Sequence, residues 1–594
     1  MTSAPSLAHA FEHNAARYGP RVFLREKRNG AWCDLSWSQV AAATRRLRAG
    51  LIGLGLRPGD RIAILAENCP QWVITDLAAL GLGAVVVPLY PTSSADEIEH
   101  VLSDSGARAI AVSGAENVNK VAALAPRLPD LHTVVTLRED TPVPAAAPPS
   151  ARVVTMESLC NAAEAGLAEA TRSDIATIIY TSGTTGPSKG VVLSHGNILA
   201  NCHSNQAALE LNDRDEILSF LPVAHSFERT AGYYTVLTAG GTISYAEGLG
   251  QIAQNLLEIN PSIVLTVPRL LEVIHSRIVR TVEKSPALRR RLFDLALATG
   301  RRAGTYRFEG RAVPVHLAAP MALFRKLVFA RIRGLFGTRL RYLISGGAPL
   351  PREIFEFFAA AEVPIVEGYG LTEAAPVVSV NLLGRTRPGT VGRALEGIEV
   401  KLAEDGELLV RGANVMQGYY KLEADTRAAI DEQGWLHTGD IATLDAQGFI
   451  AIRDRKKEII VLSGGKNVSP AALEGKLGRI PLIAQACVVG DRRKHVGALL
   501  VPDFEKLKEE FKSADIDANS ARALVEDPRV KALYHQKLRE LNRNLADYEA
   551  ISAFRLIATP FSQEAGEITP TLKLRRKVIL EHYKQAVESM YDGS

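Results

Sequence analysis

The residues with the clearest chemical potential are Thr181-Ser-Gly-Thr-Thr-Gly186-Pro-Ser-Lys189-Gly190, a hydroxyl- and glycine-rich loop directly behind the apolar run Ile178-Ile-Tyr180. Gly183, Gly186 and Gly190 allow the backbone to reach positive φ and to approach an anion closely. Thr181, Ser182, Thr184 and Thr185 offer hydroxyl donors, and Lys189 adds a positive charge, a set that suits a polyphosphate. The loop is not a Walker motif, because counting from Gly183 puts Ser188 where the second glycine belongs. Taken alone, a flexible turn between strand and helix accounts for it equally well.

Four further segments narrow the meaning: Ser345-Gly-Gly-Ala-Pro349, Glu367-Gly-Tyr-Gly-Leu-Thr-Glu373, Trp435-Leu-His-Thr-Gly-Asp440 and Gly566-Glu-Ile-Thr-Pro-Thr-Leu-Lys573. Gly346, Gly347 and Ala348 carry little bulk, so a flat base can lie on their backbone. In the segment Glu367, Gly368, Tyr369, Gly370, the tyrosine supplies a face for stacking. Asp440 is an acceptor suited to ribose hydroxyls. Thr372 can donate to a phosphate oxygen, and Glu373 is a hard carboxylate of the kind that holds Mg²⁺ beside phosphates. Each segment singly reads as a glycine turn, a core tyrosine, a cap or a surface carboxylate; their order and company favour a nucleotide site.

On these five segments the chain resembles the acyl- and aryl-adenylate-forming family, which includes acyl-CoA synthetases, firefly luciferase and the adenylation domains of peptide synthetases. The resemblance spans roughly Phe11 to Lys577. Within that family it is similar to bacterial long-chain fatty-acid CoA ligases, through Leu221-Pro-Val-Ala-His-Ser-Phe-Glu-Arg229, Thr266-Val-Pro-Arg-Leu-Leu-Glu272, Leu462-Ser-Gly-Gly-Lys-Asn-Val-Ser-Pro470 and Thr569-Pro-Thr-Leu-Lys573. It departs at Gly392-Arg-Ala-Leu-Glu-Gly397, where related ligases often carry two prolines.

The resemblance implies ATP, Mg²⁺ and coenzyme A as cofactor and co-substrates, and a two-step reaction. A long-chain carboxylate attacks the α-phosphorus of ATP, and the coenzyme A thiol then displaces AMP. It implies Thr181 and Glu373 for the metal, the Ser182 to Gly186 loop and Lys189 for the leaving phosphates, and Lys573 as a mobile catalyst of adenylation. Arg455 is expected on the ribose, Lys457 at the pivot, and Thr372, Glu373 and His225 among the catalytic residues. Acyl-contacting residues are expected between Phe227 and Val273, for example Tyr233 or Tyr234. The alternatives are a fatty acyl-AMP ligase that loads a carrier protein, a medium-chain or aryl ligase, and a non-catalytic lipid-binding membrane adaptor. The stretch Phe449 to Val468 carries no obvious insertion, which favours coenzyme A over a carrier.

Elements that must position these residues follow from the apolar pattern. Val40, Ala43, Leu47, Leu51 and Leu54 recur at helical spacing and lead through Arg57-Pro-Gly-Asp60 into the strand-like Arg61-Ile-Ala-Ile-Leu65. Ser94 with Glu97 forms a capping box for a helix to about Leu102, before a buried strand at Ala109-Ile-Ala-Val112. The alternation recurs at 84–89, 175–180, 217–221, 263–266 and 342–345, which predicts an α/β protein with largely parallel sheets. The Pro/Ala-rich stretch 141–150 reads as an exposed connector. The charged run Arg453-Asp-Arg-Lys-Lys-Glu458 separates an expected N-terminal adenylation domain, 1–453, from a smaller, mobile α+β lid, 454–594, whose next helix opens at Ser469-Pro470.

At 594 residues and 47% hydrophobic composition the chain can bury several cores. Its five cysteines lack paired or metal-ligand spacing, which suits a reducing cytoplasm. Met1 to Gly19 lacks the order of a secretion signal, and the longest uncharged apolar run, Leu77 to Tyr90, is too short to span a bilayer. Between Arg277 and Arg341, 16 Lys/Arg face three acids. With interleaved leucines and phenylalanines, this segment is a candidate for peripheral contact with an anionic inner-membrane surface, against the alternative of helices with solvated basic faces. No nucleic-acid module accompanies the charge, so nucleic acid is not an expected partner. Oligomeric state stays open, a homodimer included.

Overall fold

The computed structural model describes residues 4–138, 141, 151–181, 187–456, 458–511, 520–569 and 574–591. The apolar runs become strands of two large, mainly parallel sheets. One has eight strands and contains Arg61–Leu65 between Val85–Leu89 and Ala107–Val112, followed outward by Thr133–Thr136 on one side and Ile175–Thr181 on the other. The other has nine strands, with Glu216–Ser219, Ile263–Thr266, Tyr342–Ser345 and Ile365–Gly370 in parallel at its centre. Strands such as Val85–Leu89 are buried along their whole length, as expected where helices cover both faces.

Helices begin where the sequence supplies caps. Ser94 accepts from the Glu97 N–H at 3.2 Å while Glu97 accepts from the Ser94 N–H, and the helix Ala95–Ser105 closes on Gly106 in the left-handed region. The expected helix through Val40 and Leu51 is Trp37–Gly53, also opened by a capping box, at Ser36 and Gln39.

A four-stranded antiparallel sheet ends with Leu436–Leu444 and Ile450–Arg455. Beyond it lies a separate apolar cluster around Leu473, Val488, Leu500 and Tyr534, built on Ile483–Val489, Val496–Pro502 and Ile551–Leu556 with flanking helices. This is the smaller α+β unit read from the sequence, and its helix Pro470–Leu477 is capped by Ser469. Among the described residues no helix is long and apolar enough to cross a membrane. Most of the 141–150 connector lies outside the described residues.

Candidate functional site

A cavity of about 720 Å³ gathers most of the residues singled out by the sequence: Thr181, Lys189, His225, Gly346, Gly347, Gly368 to Gly370, Thr372, Glu373 and Arg455. Their convergence follows from topology. The strands Ile175–Thr181 and Lys189–Ser194 are antiparallel with Thr181 opposite Lys189, so one hairpin delivers both ends of the hydroxyl-rich loop. Tyr342–Ser345 and Ile365–Gly370 run parallel with Ser345 opposite Glu367, so the segments after Ser345 and around Tyr369 emerge side by side. Carboxyl ends of parallel strands are where open α/β sheets place ligands. Ser182 to Gly186, Lys457 and Lys573 lie outside the described residues.

Glycine is required at Gly346, where an added Cβ would stand 2.9 Å from the Phe227 ring, and at Gly347, whose φ of +79° lies in the left-handed region. Ala348, Glu367 and Asp440 are not on the cavity wall. Asp440 stands just behind it, accepting from the Tyr369 hydroxyl at 2.6 Å and from Arg455 Nε at 3.0 Å. Burial, reinforced by Asp440, pushes the Tyr369 phenol well above its ordinary range, so it stays a donor. Glu367 is buried, and that burial pushes its carboxyl up to about 8.

Thr372 and Glu373 follow Gly370 directly. The Thr372 and Ser226 hydroxyls are 3.0 Å apart, and Glu373 Oε1 accepts from the Tyr419 hydroxyl at 3.0 Å. Lys189 pairs with Asp425 and lies 5.3 Å from the centre of the Tyr419 ring. Ser226, Tyr419 and Asp425 were not picked out by sequence reasoning; only their proximity in space reveals them. The Phe227 N–H donates to His225 Nδ1 at 3.2 Å, which leaves Nδ1 unprotonated and puts the ring proton on Nε2.

The cavity continues into an apolar branch lined by Leu209, Leu211, Val236, Ile263, Ile344 and Val377. Of the expected stretch Phe227 to Val273, Phe227, Ala231, Thr235, Val236 and Ile263 line the cavity. Tyr233 and Tyr234 do not line it: both donate to the buried Asp76, at 3.1 and 2.8 Å, beside Arg229. Their hydroxyls demand a buried acceptor, and Asp76 supplies it, which turns both rings away from the branch.

From the smaller unit, Thr569 reaches the wall, and Arg479 pairs with Glu353 at 3.0 Å. Arg455 and Lys456, which line the cavity just before it, are held by Asp440 and by Asp405 with Glu407. Among the described residues no group of three or more His, Cys, Asp or Glu side chains converges. The hard oxygens of Glu373 and Thr181 on the cavity wall fit Mg²⁺, which takes one or two carboxylates together with substrate phosphates.

Comparison with known proteins agrees with this geometry. Residues 11–420 match the AMP-binding enzyme family, and residues 457–594 match the AMP-binding enzyme C-terminal domain. The long-chain-fatty-acid–CoA ligase FadD15 of Mycobacterium bovis is 35% identical over 601 residues, covering 98% of this chain and 96% of that protein. The peroxisomal long chain acyl-CoA synthetase 6 of Arabidopsis thaliana is 31% identical over 611 residues, covering 98% and 85%. The crystal structure of the adenylation domain of a carboxylate reductase from Mycobacterium chelonae superposes with a TM-score of 0.78 at 22% identity, covering 100% of this chain and 92% of that one, and shows the same fold. A cavity with these walls, on this fold and with these relatives, leaves one conclusion: the chain belongs to the AMP-binding enzyme family.

Proposed function

We propose that the protein activates a long-chain fatty acid with ATP, forming first an acyl-adenylate and then acyl-CoA. The observation that carries this reading is the junction, in one cavity, of a polar wall suited to a nucleotide with an apolar branch suited to an alkyl chain. In the first step a carboxylate oxygen bonds to the α-phosphorus of ATP and pyrophosphate leaves. In the second, the coenzyme A sulfur bonds to the acyl carbon and AMP leaves.

Each residue has a task that follows from its surroundings. Gly346 and Gly347 with Tyr369 cradle the base, while Arg455, held from behind by Asp440, takes the ribose. Lys189, shared with Asp425, and Thr372 offer positive charge and a donor where negative charge develops. Glu373 and Thr181 would hold Mg²⁺, which supplies charge neutralisation at the phosphates when bound. His225, with its proton on Nε2, stands between the nucleotide wall and the acyl branch as a positioning group. A division at residues 453 and 454, with Lys457 as pivot, lets the smaller unit close and bring Lys573 to the carboxylate and phosphate oxygens, then reopen for the thiol. Thr569 on the wall supports that reading, since Lys573 is only four residues further along.

Purified protein incubated with oleate, ATP and Mg²⁺, and with either coenzyme A or a phosphopantetheinyl carrier protein, tests the proposal. Oleoyl-CoA is the expected product; thioester formed only on the carrier would contradict it.

We place the enzyme in the cytoplasm, with peripheral contact to the anionic inner surface of the membrane through residues 277–341. Among the described residues, seven of the 16 exposed large apolar side chains fall between Val273 and Leu335. On the helix Ala287–Phe308, Leu288, Arg291, Leu295 and Arg302 share one outward stripe opposite the buried Phe293, Ala296 and Ala303. Pelleting with anionic but not with neutral vesicles is the expected result.

A further inference from the structure

Two buried polar side chains line the cavity beside the apolar branch: Thr235, whose hydroxyl donates to the Thr230 carbonyl at 2.7 Å, and Asn205, whose orientation is fixed by its neighbours. The helix His195–Leu209 carries Asn201 and Asn205 four residues apart, on the same face. Asn201 is fully buried and is used up by the backbone of the strand Val377–Val380: its Nδ2 donates to the Val377 carbonyl at 2.7 Å, and its Oδ1 accepts the Val377 N–H at 3.2 Å. That pairing settles which end of the Asn201 amide points where. Asn205 then donates its own Nδ2 to Asn201 Oδ1 at 3.2 Å, because that oxygen can meet only a donor.

Asn205 is 2% exposed and lines the cavity beside Leu209, one turn along the same helix. One Nδ2 hydrogen goes to Asn201, and its Oδ1 has no donor among the described residues. An acceptor held rigidly in an apolar space is unfavourable unless a donor arrives, and it discriminates between ligands that bring one and ligands that do not.

We infer that the acyl branch recognises a hydroxyl group carried on the substrate chain, with Asn205 Oδ1 accepting its hydrogen bond. The preferred substrates are therefore hydroxylated long-chain acids. This rests on the reading of the branch as the acyl site. An oxo group at the same carbon cannot donate and gains nothing from Oδ1.

The test compares kcat/KM for stearate, for monohydroxystearates with the hydroxyl stepped along the chain, and for the matching oxostearates. It uses the full-length enzyme and the variants Asn205→Leu and Asn205→Ala. The expected result is one hydroxy isomer favoured about tenfold over stearate in the wild type, as one hydrogen bond to a buried acceptor warrants. Its oxo counterpart shows no such preference, and the ratio falls to about one in both variants. A wild type that favours no hydroxy isomer, an oxo isomer that equals the hydroxy one, or a ratio unchanged in a variant overturns the inference. The hydroxy and oxo comparison in the wild type stands even if neither variant folds. Stearate turnover without hydroxyl preference defeats this inference alone, whereas no turnover of any long-chain acid defeats the acyl-ligase reading as well.

Discussion

Two charged clusters, one buried around Arg229 and one on the cavity wall, differ in how completely their groups are satisfied. In the buried one, Arg229 donates to Asp76, to Thr177 Oγ1 at 2.7 Å and to the Tyr234 hydroxyl at 3.1 Å, and Asp76 also accepts from Tyr233 and Tyr234. Arg229 and Asp76 are 1% and 0% exposed, so every contact is internal and nothing is left for a ligand. In the cavity, by contrast, Lys189, Arg455 and Glu373 each keep a protein partner yet face open space. Saturated burial makes a charge structural; a charge with one partner and an open side is available for chemistry.

The sharpest way to break that contrast is to remove one arginine from each cluster. Arg229→Ala leaves Asp76 buried without its counter-charge and is expected to cost about 3–5 kcal/mol of stability by denaturant unfolding. Arg455 is itself half exposed, and Asp440, though buried, keeps the Tyr369 hydroxyl when the arginine is removed, so Arg455→Ala is expected to cost clearly less, about 1 kcal/mol. Its effect falls on the chemistry instead, with adenylate formation reduced about a hundredfold. Equal stability losses in the two variants would dissolve the distinction.

A pH-dependent effect also separates the two regions. Burial pushes the Glu228 carboxyl from its ordinary 4.5 up to about 8, with Ser219 donating to it at 2.6 Å. The fold therefore holds a proton that the unfolded chain releases between those values. Its stabilising contribution is complete below pH 4.5 and is lost as pH rises toward 8. Relative to Glu228→Gln, the wild type should lose on the order of 1.4 kcal/mol per pH unit across that window. Parallel stability curves for the two proteins would show that the carboxyl is already ionised. The smallest expected effect is at Ser226, whose hydroxyl meets that of Thr372. Ser226→Ala should slow adenylation about fivefold without a change in stability beyond about 1 kcal/mol, read by pyrophosphate release and thermal melting.

The parallel strands were legible in the sequence because they are short, uniformly apolar and bounded by turns; Arg61–Leu65, Ile263–Thr266 and Tyr342–Ser345 lie where the pattern puts them. The polar wall of the cavity was legible for a related reason. Its residues sit in contiguous segments at strand ends, so Gly346, Tyr369, Thr372 and Glu373 are close in sequence as well as in space. The apolar branch was not, since Leu209, Val236, Ile263, Ile344 and Val377 come from five separate elements and each resembles an ordinary core residue. Tyr233 and Tyr234 misled because their acceptor, Asp76, lies more than 150 positions away. One local signal did exist: Asn201 and Asn205, polar and four apart beside Ile198, Leu199 and Cys202, mark a helix face that must satisfy amides in the interior.

The central claim is that one cavity joins ATP to a fatty carboxylate with Lys573 as the catalyst of the first step. Pyrophosphate release by the wild type and by Lys573→Ala, with and without oleate, tests it most directly. The account predicts release that requires oleate in the wild type and nearly vanishes in the variant. Release that ignores oleate, or that proceeds undiminished without Lys573, would contradict it.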